Sequence, residues 1–202
     1  MAKTGNNSKG PEYTELLSRL DRITQWVHSC DTKASILFTI ESVFVGILLS
    51  SDYVLKTITS VLNVTFVNDG DKHFSLSAFI LLLGLFGIVV LLPISLFYLV
   101  SAIAAKTSTN IFKDKIIRID SLLFFDSIAQ YKQCEDLEEA IQKEGEKERV
   151  KDVLSQIYIN SKRCKEKFTY YQKGMRYAKW LLLFIGLLFV GVIMYNVVYL
   201  NF

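Results

Sequence analysis

Three stretches of this chain carry almost no charge and are long enough to cross a membrane. They cover residues 34–51, 74–105 and 180–202. A helix needs about 20 apolar residues to cross a hydrocarbon layer about 30 Å thick, and the second and third stretches reach that length. The first stretch is shorter, but spans of about 17 residues lie within the usual range. The pattern predicts an all-α membrane protein with three transmembrane helices.

The polar segments between these stretches predict helices on one side of the membrane. Residues 1–12 show no periodicity and are expected to form a disordered tail. Residues 13–33 repeat apolar positions at threes and fours, as in Tyr13, Leu16 and Leu17. Residues 106–179 end in a longer stripe of the same kind, from Val150 to Ala178. We therefore expect a cytoplasmic helical bundle that is continuous with the first and third spans. Residues 52–73 are expected to form the outer loop.

Two shorter helices are predicted inside the 106–179 segment. Asp120 is a candidate N-cap for an apolar helix from Leu122 to Tyr131. The segment from Glu135 to Lys143 is expected to form another helix, which Gly145 ends.

Charge predicts the orientation and excludes several classes of function. Of the 23 Lys and Arg residues, 21 precede the first span or lie between the second and third spans. Such residues stay in the cytoplasm during insertion, so the N-terminus should be inside and the C-terminus outside. The net charge of +3 is too small to indicate a nucleic-acid partner. The three cysteines lack metal-ligand spacing, and no nucleophile with a matching base can be assembled. We expect no metal, no cofactor and no enzymatic activity.

Several local motifs resemble one known family. The run Asp-Thr-Lys-Ala-Ser at residues 31–35, preceded by Arg22, resembles the D-x-K-A-S signature of the transmembrane effectors of Pycsar antiphage defence. The run from Phe124 to Ala129 is similar to the short middle helix of that family, and the segment that starts at Val153 is similar to its final long helix. The motifs occur in the family's order over residues 15–180.

The resemblance implies a function. Such an effector senses cyclic CMP or cyclic UMP that a neighbouring pyrimidine cyclase makes on phage infection. It then impairs the bacterial inner membrane, and the infected cell dies in an abortive infection. The implied partners are the cyclic nucleotide, membrane lipids and further copies of the chain, because three spans are too few to enclose a pore comfortably. A ligand-independent coiled-coil membrane anchor and a pore-forming effector of another nucleotide-signalled defence system remain alternatives.

The implied nucleotide defines a set of candidate binding residues. Basic side chains would bind the cyclic phosphate, amides would bind the edge of the base, and an aromatic ring (Phe124 or Tyr158) would stack on the base. Asp31 and Lys33 have an alternative structural role at the headgroup boundary. The ligand-binding candidates are Arg22, Asp31, Lys33, Phe124, Gln156, Asn160, Lys162 and Lys165.

Three further residues are candidates for a role within the membrane. Glu41 lies about 10 Å into the hydrocarbon at helical rise, where an ionisable group costs about 2.5 to 3.5 kcal/mol. It is either a protonated hydrogen-bonding group inside one chain or a residue that lines a pore or joins two copies. Pro93 is expected to bend the second span, and Gly174 is a weak point in the last long helix.

Overall fold

A computed structural model describes residues 12–63, 76–104, 117–118 and 120–199. Within these ranges every regular element is a helix and no strand occurs. The helices are α1 Tyr13–Ser50, α2 Asp52–Leu62, α3 Leu76–Ile103, α4 Phe125–Ile128, α5 Cys134–Lys143 and α6 Glu146–Tyr199. The chain is therefore all-α over its described residues. The predicted tail lies outside them, apart from Glu12.

The chain divides into two compact units. The first unit contains Met1–Ser29 and Ala105–Glu166, and the second contains Cys30–Ala104 and Lys167–Phe202. Helices α1 and α6 contribute residues to both. Three helices are long and apolar enough to span a membrane, over Tyr13–Ser50, Ala78–Ile103 and Glu146–Val197. The prediction of three transmembrane helices is confirmed, and the second unit contains their apolar parts.

Helix α1 follows its predicted apolar stripe. Leu16 and Cys30 are buried, and the stripe positions between them are partly buried. The helix continues without a break for 38 residues, since the sequence contains neither proline nor glycine between Tyr13 and Val45. It ends at Ser50, one residue before Ser51 caps α2 by accepting the backbone N–H of Val54 at 3.4 Å.

Helix α2 lies in the segment expected to be the outer loop. Its Val54, Thr57 and Val61 are buried, whereas Lys56 and Thr59 on other faces are exposed. Val54 and Val61 pack in one apolar cluster with residues of α1, α3 and α6. An amphipathic helix of this kind needs a packed face to be stable at 11 residues, and the cluster provides it.

Glycines bring α3 and α6 into close antiparallel contact. A Cβ atom at Gly84 would lie 2.7 Å from the backbone nitrogen of Leu188, and one at Gly191 would lie 2.7 Å from that of Leu81. The paired residue numbers add to the same value, as expected for two helices that run in opposite directions. Small residues allow such close approach between spans, where van der Waals packing replaces the hydrophobic effect.

The short middle helix differs from its prediction. Helix α4 covers only Phe125–Ile128, its N-cap position is Phe124, and Asp120 is exposed. The predicted helix from Leu122 to Tyr131 with Asp120 as its cap is therefore wrong. The backbone N–H of Leu122, which the predicted cap would bind through Asp120, donates instead to Oδ2 of Asp152, a residue of α6. Helix α5, by contrast, begins one residue before its predicted start and ends at Lys143 as predicted.

Candidate functional site

In the first unit, residues 118 and 120–122, here called the 118–122 segment, are hydrogen-bonded along one face of α6. The backbone N–H of Arg118 donates to Oγ of Ser155 at 3.2 Å, and that of Leu122 donates to Oδ2 of Asp152 at 2.8 Å. Asp152 is 1% exposed, and its Oδ1 has no hydrogen-bond partner among the described residues. Polar side chains of α6 thus bind a segment without regular structure, which satisfies backbone groups that no helix pairs.

Gln156 belongs to the same set of contacts. It is 6% exposed, and its Nε2 donates to Oγ of Ser121 at 3.0 Å. That hydroxyl also accepts the backbone N–H of Leu123 at 3.1 Å. The amide predicted to bind the edge of a base is therefore engaged in holding the 118–122 segment.

An ion pair connects this segment to the end of α5. The guanidinium of Arg118 pairs with the carboxylate of Glu144, whose side chain is 9% exposed. Arg149 is a second, longer partner of Glu144 at 3.6 Å. Burial alone would lower the pKa of Arg118, but the hydrogen bond to Glu144 and the charges of Asp120, Glu144 and Asp152 raise the pKa above its ordinary value. The pair is well shielded from water and fixes the α5–α6 turn against the segment.

The other ligand candidates of the first unit lie on α1, on α6 and at the N-cap of α4. The guanidinium of Arg163 lies 5.8 Å from the ring of Phe124, which is half-buried, and Lys162 lies 5.2 Å from the ring of Tyr158. Asn160 donates to the carbonyl of Gln156 within its own helix at 2.9 Å. Arg22 and Lys165 are exposed on α1 and α6. Phe124 and Tyr158 are thus each paired with a cation of α6, and the candidates do not form one cluster.

Three cavities lie among the described residues of the first unit. One of about 330 Å³ adjoins Asp120 and Tyr131, and one of about 490 Å³ adjoins the Arg118–Glu144 pair. The third, of about 260 Å³, lies on α6 between Lys151 and Tyr158. The described linings of these three cavities differ in charge.

In the second unit, Asp31 and Lys33 have different surroundings. Oδ1 of Asp31 accepts a hydrogen bond from Nζ of Lys167 at 2.6 Å, whereas Lys33 is exposed. Lys167 also donates to the carbonyls of Ala102 and Ile103 at 3.1 and 3.0 Å. These carbonyls belong to the last turn of α3, where a helix leaves acceptors unpaired and favours a cation. The contacts of Asp31 agree with its structural interpretation.

Glu41 is buried between the spans of the second unit. It is 5% exposed, and Oγ of Ser95 donates to its Oε1 at 2.7 Å. The same hydroxyl lies 3.3 Å from the carbonyl oxygen of Gly174. Oε2 of Glu41 has no hydrogen-bond partner among the described residues. Residues of all three spans meet at this point, which we call the Glu41 node (Glu41, Ser95 and Gly174).

Gly174 and Pro93 occupy different environments in their helices. Gly174 is buried, and a Cβ atom there would lie 2.8 Å from Cδ2 of Leu99. Pro93 is exposed, and α3 continues through it without interruption. Gly174 thus supplies both a carbonyl and the space that Leu99 fills. The role of Pro93 stays a prediction.

A second polar contact lies near the ends of α2 and α6. Nδ2 of Asn196 donates to Oγ1 of Thr57 at 3.0 Å, and the hydroxyls of Tyr195 and Ser60 lie 3.2 Å apart. Asn196 and Thr57 are 1% and 2% exposed. The second unit is therefore tied by polar side chains at Lys167, at the Glu41 node and at Asn196.

Several of these residues were not among the candidates from the sequence. Asp152 and Ser155 lie between apolar positions of α6 and resemble solvated residues in the pattern. Ser95 lies about 15 Å from Ala105, where the sequence ends the second span, and Glu41 lies about 10 Å from Ala34. Depth counted from the sequence therefore did not match the two residues, although polar residues in adjacent spans are expected to pair.

Known proteins identify the family. A profile of the Pycsar effector protein domain PycTM matches residues 15–197. The Pycsar effector protein GmPycTM of Gulbenkiania mobilis is 29% identical over 183 residues, which cover 88% of this chain and 91% of that protein. No solved structure matches the chain significantly. Since the profile extends over both compact units and all three spans, this chain belongs to the Pycsar effector family of transmembrane antiphage-defence proteins.

Proposed function

We propose that this chain senses a cyclic pyrimidine mononucleotide and then impairs the bacterial inner membrane, so that an infected cell dies before phage matures. Membership of the family implies activation by a cyclic nucleotide from a partner cyclase. The observation that carries the proposal is the extent of the family match, which includes residues of both the first unit and the second unit. A chain that contains both can bind a soluble signal and act on lipid.

The proposal assigns ligand binding to the first unit. This unit contains three cavities and several exposed cations, among them Lys162 and Lys165. Of the sequence candidates, Asp31 and Gln156 are engaged in contacts that hold helices and segments together. The proposal therefore leaves phosphate binding to lysines of α6 and treats Asp31 and Gln156 as positioning residues.

The membrane effect is assigned to the second unit. Its helices α1, α3 and α6 share a buried polar contact at the Glu41 node and a partly buried one at Lys167. Polar contacts between spans have alternative partners within the same bundle, which permits rearrangement without exposing polar groups to lipid. Several copies of the chain would act together, because three spans enclose little space. The first unit would be cytoplasmic and the C-terminus periplasmic.

The proposal is tested by expressing the chain with and without a pyrimidine cyclase and measuring membrane potential. Depolarisation is expected only when both are present. An inactive cyclase variant is the control for expression burden. Depolarisation by the chain alone, or unchanged potential with abundant protein and active cyclase, would contradict the proposal.

Transmission through α6 is tested at Gly174. Proline there removes a backbone N–H and clashes with the preceding turn, whereas an alanine methyl group would meet Cδ2 of Leu99 at 2.8 Å and stay 3.4 Å from the Leu99 backbone nitrogen, so a shift of that side chain accommodates it. We expect Gly174→Pro to bind nucleotide and fail to depolarise, and Gly174→Ala to do both. Equal depolarisation by the two variants would contradict transmission through this helix.

A further inference from the structure

A groove on α6 in the first unit combines exposed cations with exposed apolar surface. Lys147, Lys151, Leu154 and Tyr158 line it at a spacing of four, three and four residues. This spacing places them on one face of the helix over about 16 Å. Leu154 and Tyr158 are 45% and 44% exposed, and the nearly buried Ile117 also lines the groove.

Charge distinguishes this groove from the other two cavities. The described residues that line it include two lysines and no acid. The 490 Å³ cavity has three basic and three acidic residues, and Arg118 there is already paired with Glu144. The 330 Å³ cavity has one acid, Asp120, and no base. Of the three, only the groove carries net positive charge on its described lining.

The two lysines are available to an anion. Neither Lys147 nor Lys151 has an ion-pair partner among the described residues, and both are exposed. The ring of Tyr158 borders the groove, with the ammonium of Lys162 5.2 Å from its centre on the helix surface. An aromatic ring beside a pair of cations is suited to a ligand with a planar base and a phosphate, since bases stack on aromatic side chains and phosphates bind ammonium groups.

Volume limits the size of the ligand. About 260 Å³ is slightly below the range of about 300 to 1,000 Å³ for drug-sized ligands. A single mononucleotide is therefore a better fit than a cyclic dinucleotide or a longer oligonucleotide. A cyclic monophosphate carries one negative charge, which one or two lysines suffice to bind.

We infer that this groove, defined by Lys147, Lys151, Leu154 and Tyr158, is the nucleotide-binding site, with the phosphate on the two lysines and the pyrimidine ring against Tyr158 and Leu154. The inference rests on the proposed function for the identity of the nucleotide. In this site the nucleotide is bound through charge and stacking, and the amides of Gln156 and Asn160 do not contact the base.

The test is a calorimetric titration of the full detergent-solubilised chain with cyclic CMP, cyclic UMP, cyclic AMP and cyclic GMP. Lys151→Gln should weaken binding of the pyrimidine nucleotide about tenfold, which equals about 1.4 kcal/mol. Tyr158→Leu should weaken it about fivefold or more, and Tyr158→Phe should bind like the original chain because the ring remains. Lys132→Gln, an exposed lysine outside the three cavities, is the matched control. Melting temperatures confirm that each variant is folded.

The outcomes distinguish failure of the groove as the binding site from failure of the proposed function. If the original chain binds a pyrimidine nucleotide and both Lys151→Gln and Tyr158→Leu bind it equally well, the groove is not the site and the proposed function stands. If the original chain binds none of the four nucleotides, the proposed function fails. If Lys151→Gln and Lys132→Gln weaken binding alike, the effect is one of net charge only, and the inference is overturned.

Discussion

The ammonium nitrogen of Lys167 lies 2.6 Å from Oδ1 of Asp31, although 136 residues separate the two in sequence. Its other hydrogen bonds reach the carbonyls of Ala102 and Ile103 at the end of α3. An ammonium has three protons, and each has a partner here. One side chain therefore connects α1, α3 and α6.

Removal of this ammonium is expected to destabilise the second unit. Lys167→Met keeps an unbranched side chain one atom shorter and loses the charged hydrogen bonds, which should cost roughly 1.5 to 3 kcal/mol. Asp31→Asn should cost less, because Lys167 retains both carbonyls. Lys33→Met, at an exposed neighbour, should stay within about 0.5 kcal/mol. Thermal unfolding in one detergent measures all three. Equal melting temperatures for Lys167→Met and Lys33→Met would refute the connection.

Glu41 is expected to act as a hydrogen-bonding group within one chain, because it is buried against Ser95. Glu41→Gln retains a carbonyl oxygen as acceptor, so stability and cyclase-dependent depolarisation should be nearly unchanged. Glu41→Leu removes the acceptor and should lower the melting temperature. If Glu41→Gln keeps its abundance and nucleotide binding but loses depolarisation, Glu41 instead lines a path or joins two copies.

Two glycines of α6 should respond differently to the same substitution. In Gly191→Ala the added methyl group would meet the backbone of Leu81, so the helices must separate, at a cost of about 1 to 3 kcal/mol. Gly186 has no atom within 4 Å of its Cβ position, and Gly186→Ala should be neutral or slightly stabilising. Melting temperatures in the same detergent check the difference. A neutral result for both would mean that α3 and α6 do not approach at Gly191.

Asp152 should be essential for holding the 118–122 segment against α6. Asp152→Leu removes the acceptor of Leu122 N–H and leaves that donor buried, which should cost about 1 to 3 kcal/mol. Asp152→Asn keeps an oxygen and should cost less. Glu148→Ala, an exposed acid one turn earlier on α6, is the control. Hydrogen exchange of the Leu122 amide reports the segment directly. Unchanged protection in Asp152→Leu would show that the contact does not hold it.

The proposed orientation predicts the location of each terminus. A reporter that is active only in the periplasm should be active when fused after Phe202 and silent when fused after Lys143. The reason is that the basic residues flanking the spans lie on the side of Lys143, which is therefore expected to be cytoplasmic. Activity at Lys143 and silence at Phe202 would reverse the orientation and remove any cytoplasmic ligand from consideration.

The helices were predictable where a local pattern determines them. The stripe from Tyr13 to Cys30, the absence of a breaker before the first span and the apolar lengths of the other two spans all had direct counterparts in the structure. The extent of α4 was not predictable, since the backbone of Leu122 pairs with Asp152, 30 residues away. A local pattern contains no information about such a partner.

The candidate site shows the same limit. Composition could suggest lysines of α6 and an aromatic ring, but it could not distinguish Gln156, which is buried on Ser121, from an amide that faces a ligand. Nor could it indicate that Lys147, Lys151 and Tyr158 border one cavity while Lys143 borders another that contains three acids. Which lysines remain able to bind a phosphate depends on how α5 and the 118–122 segment pack against α6.

The hydroxyl of Ser95 has one proton and two acceptors, Oε1 of Glu41 on α1 and the carbonyl oxygen of Gly174 on α6. The distances of 2.7 and 3.3 Å show that the shorter bond is made to Glu41. Both bonds cannot reach full strength together, so the two helices compete for a single proton. Rotation about the Cβ–Oγ bond would exchange one partner for the other without moving either helix. The rotation of one hydroxyl group can thus replace the hydrogen bond between α3 and α1 by one between α3 and α6.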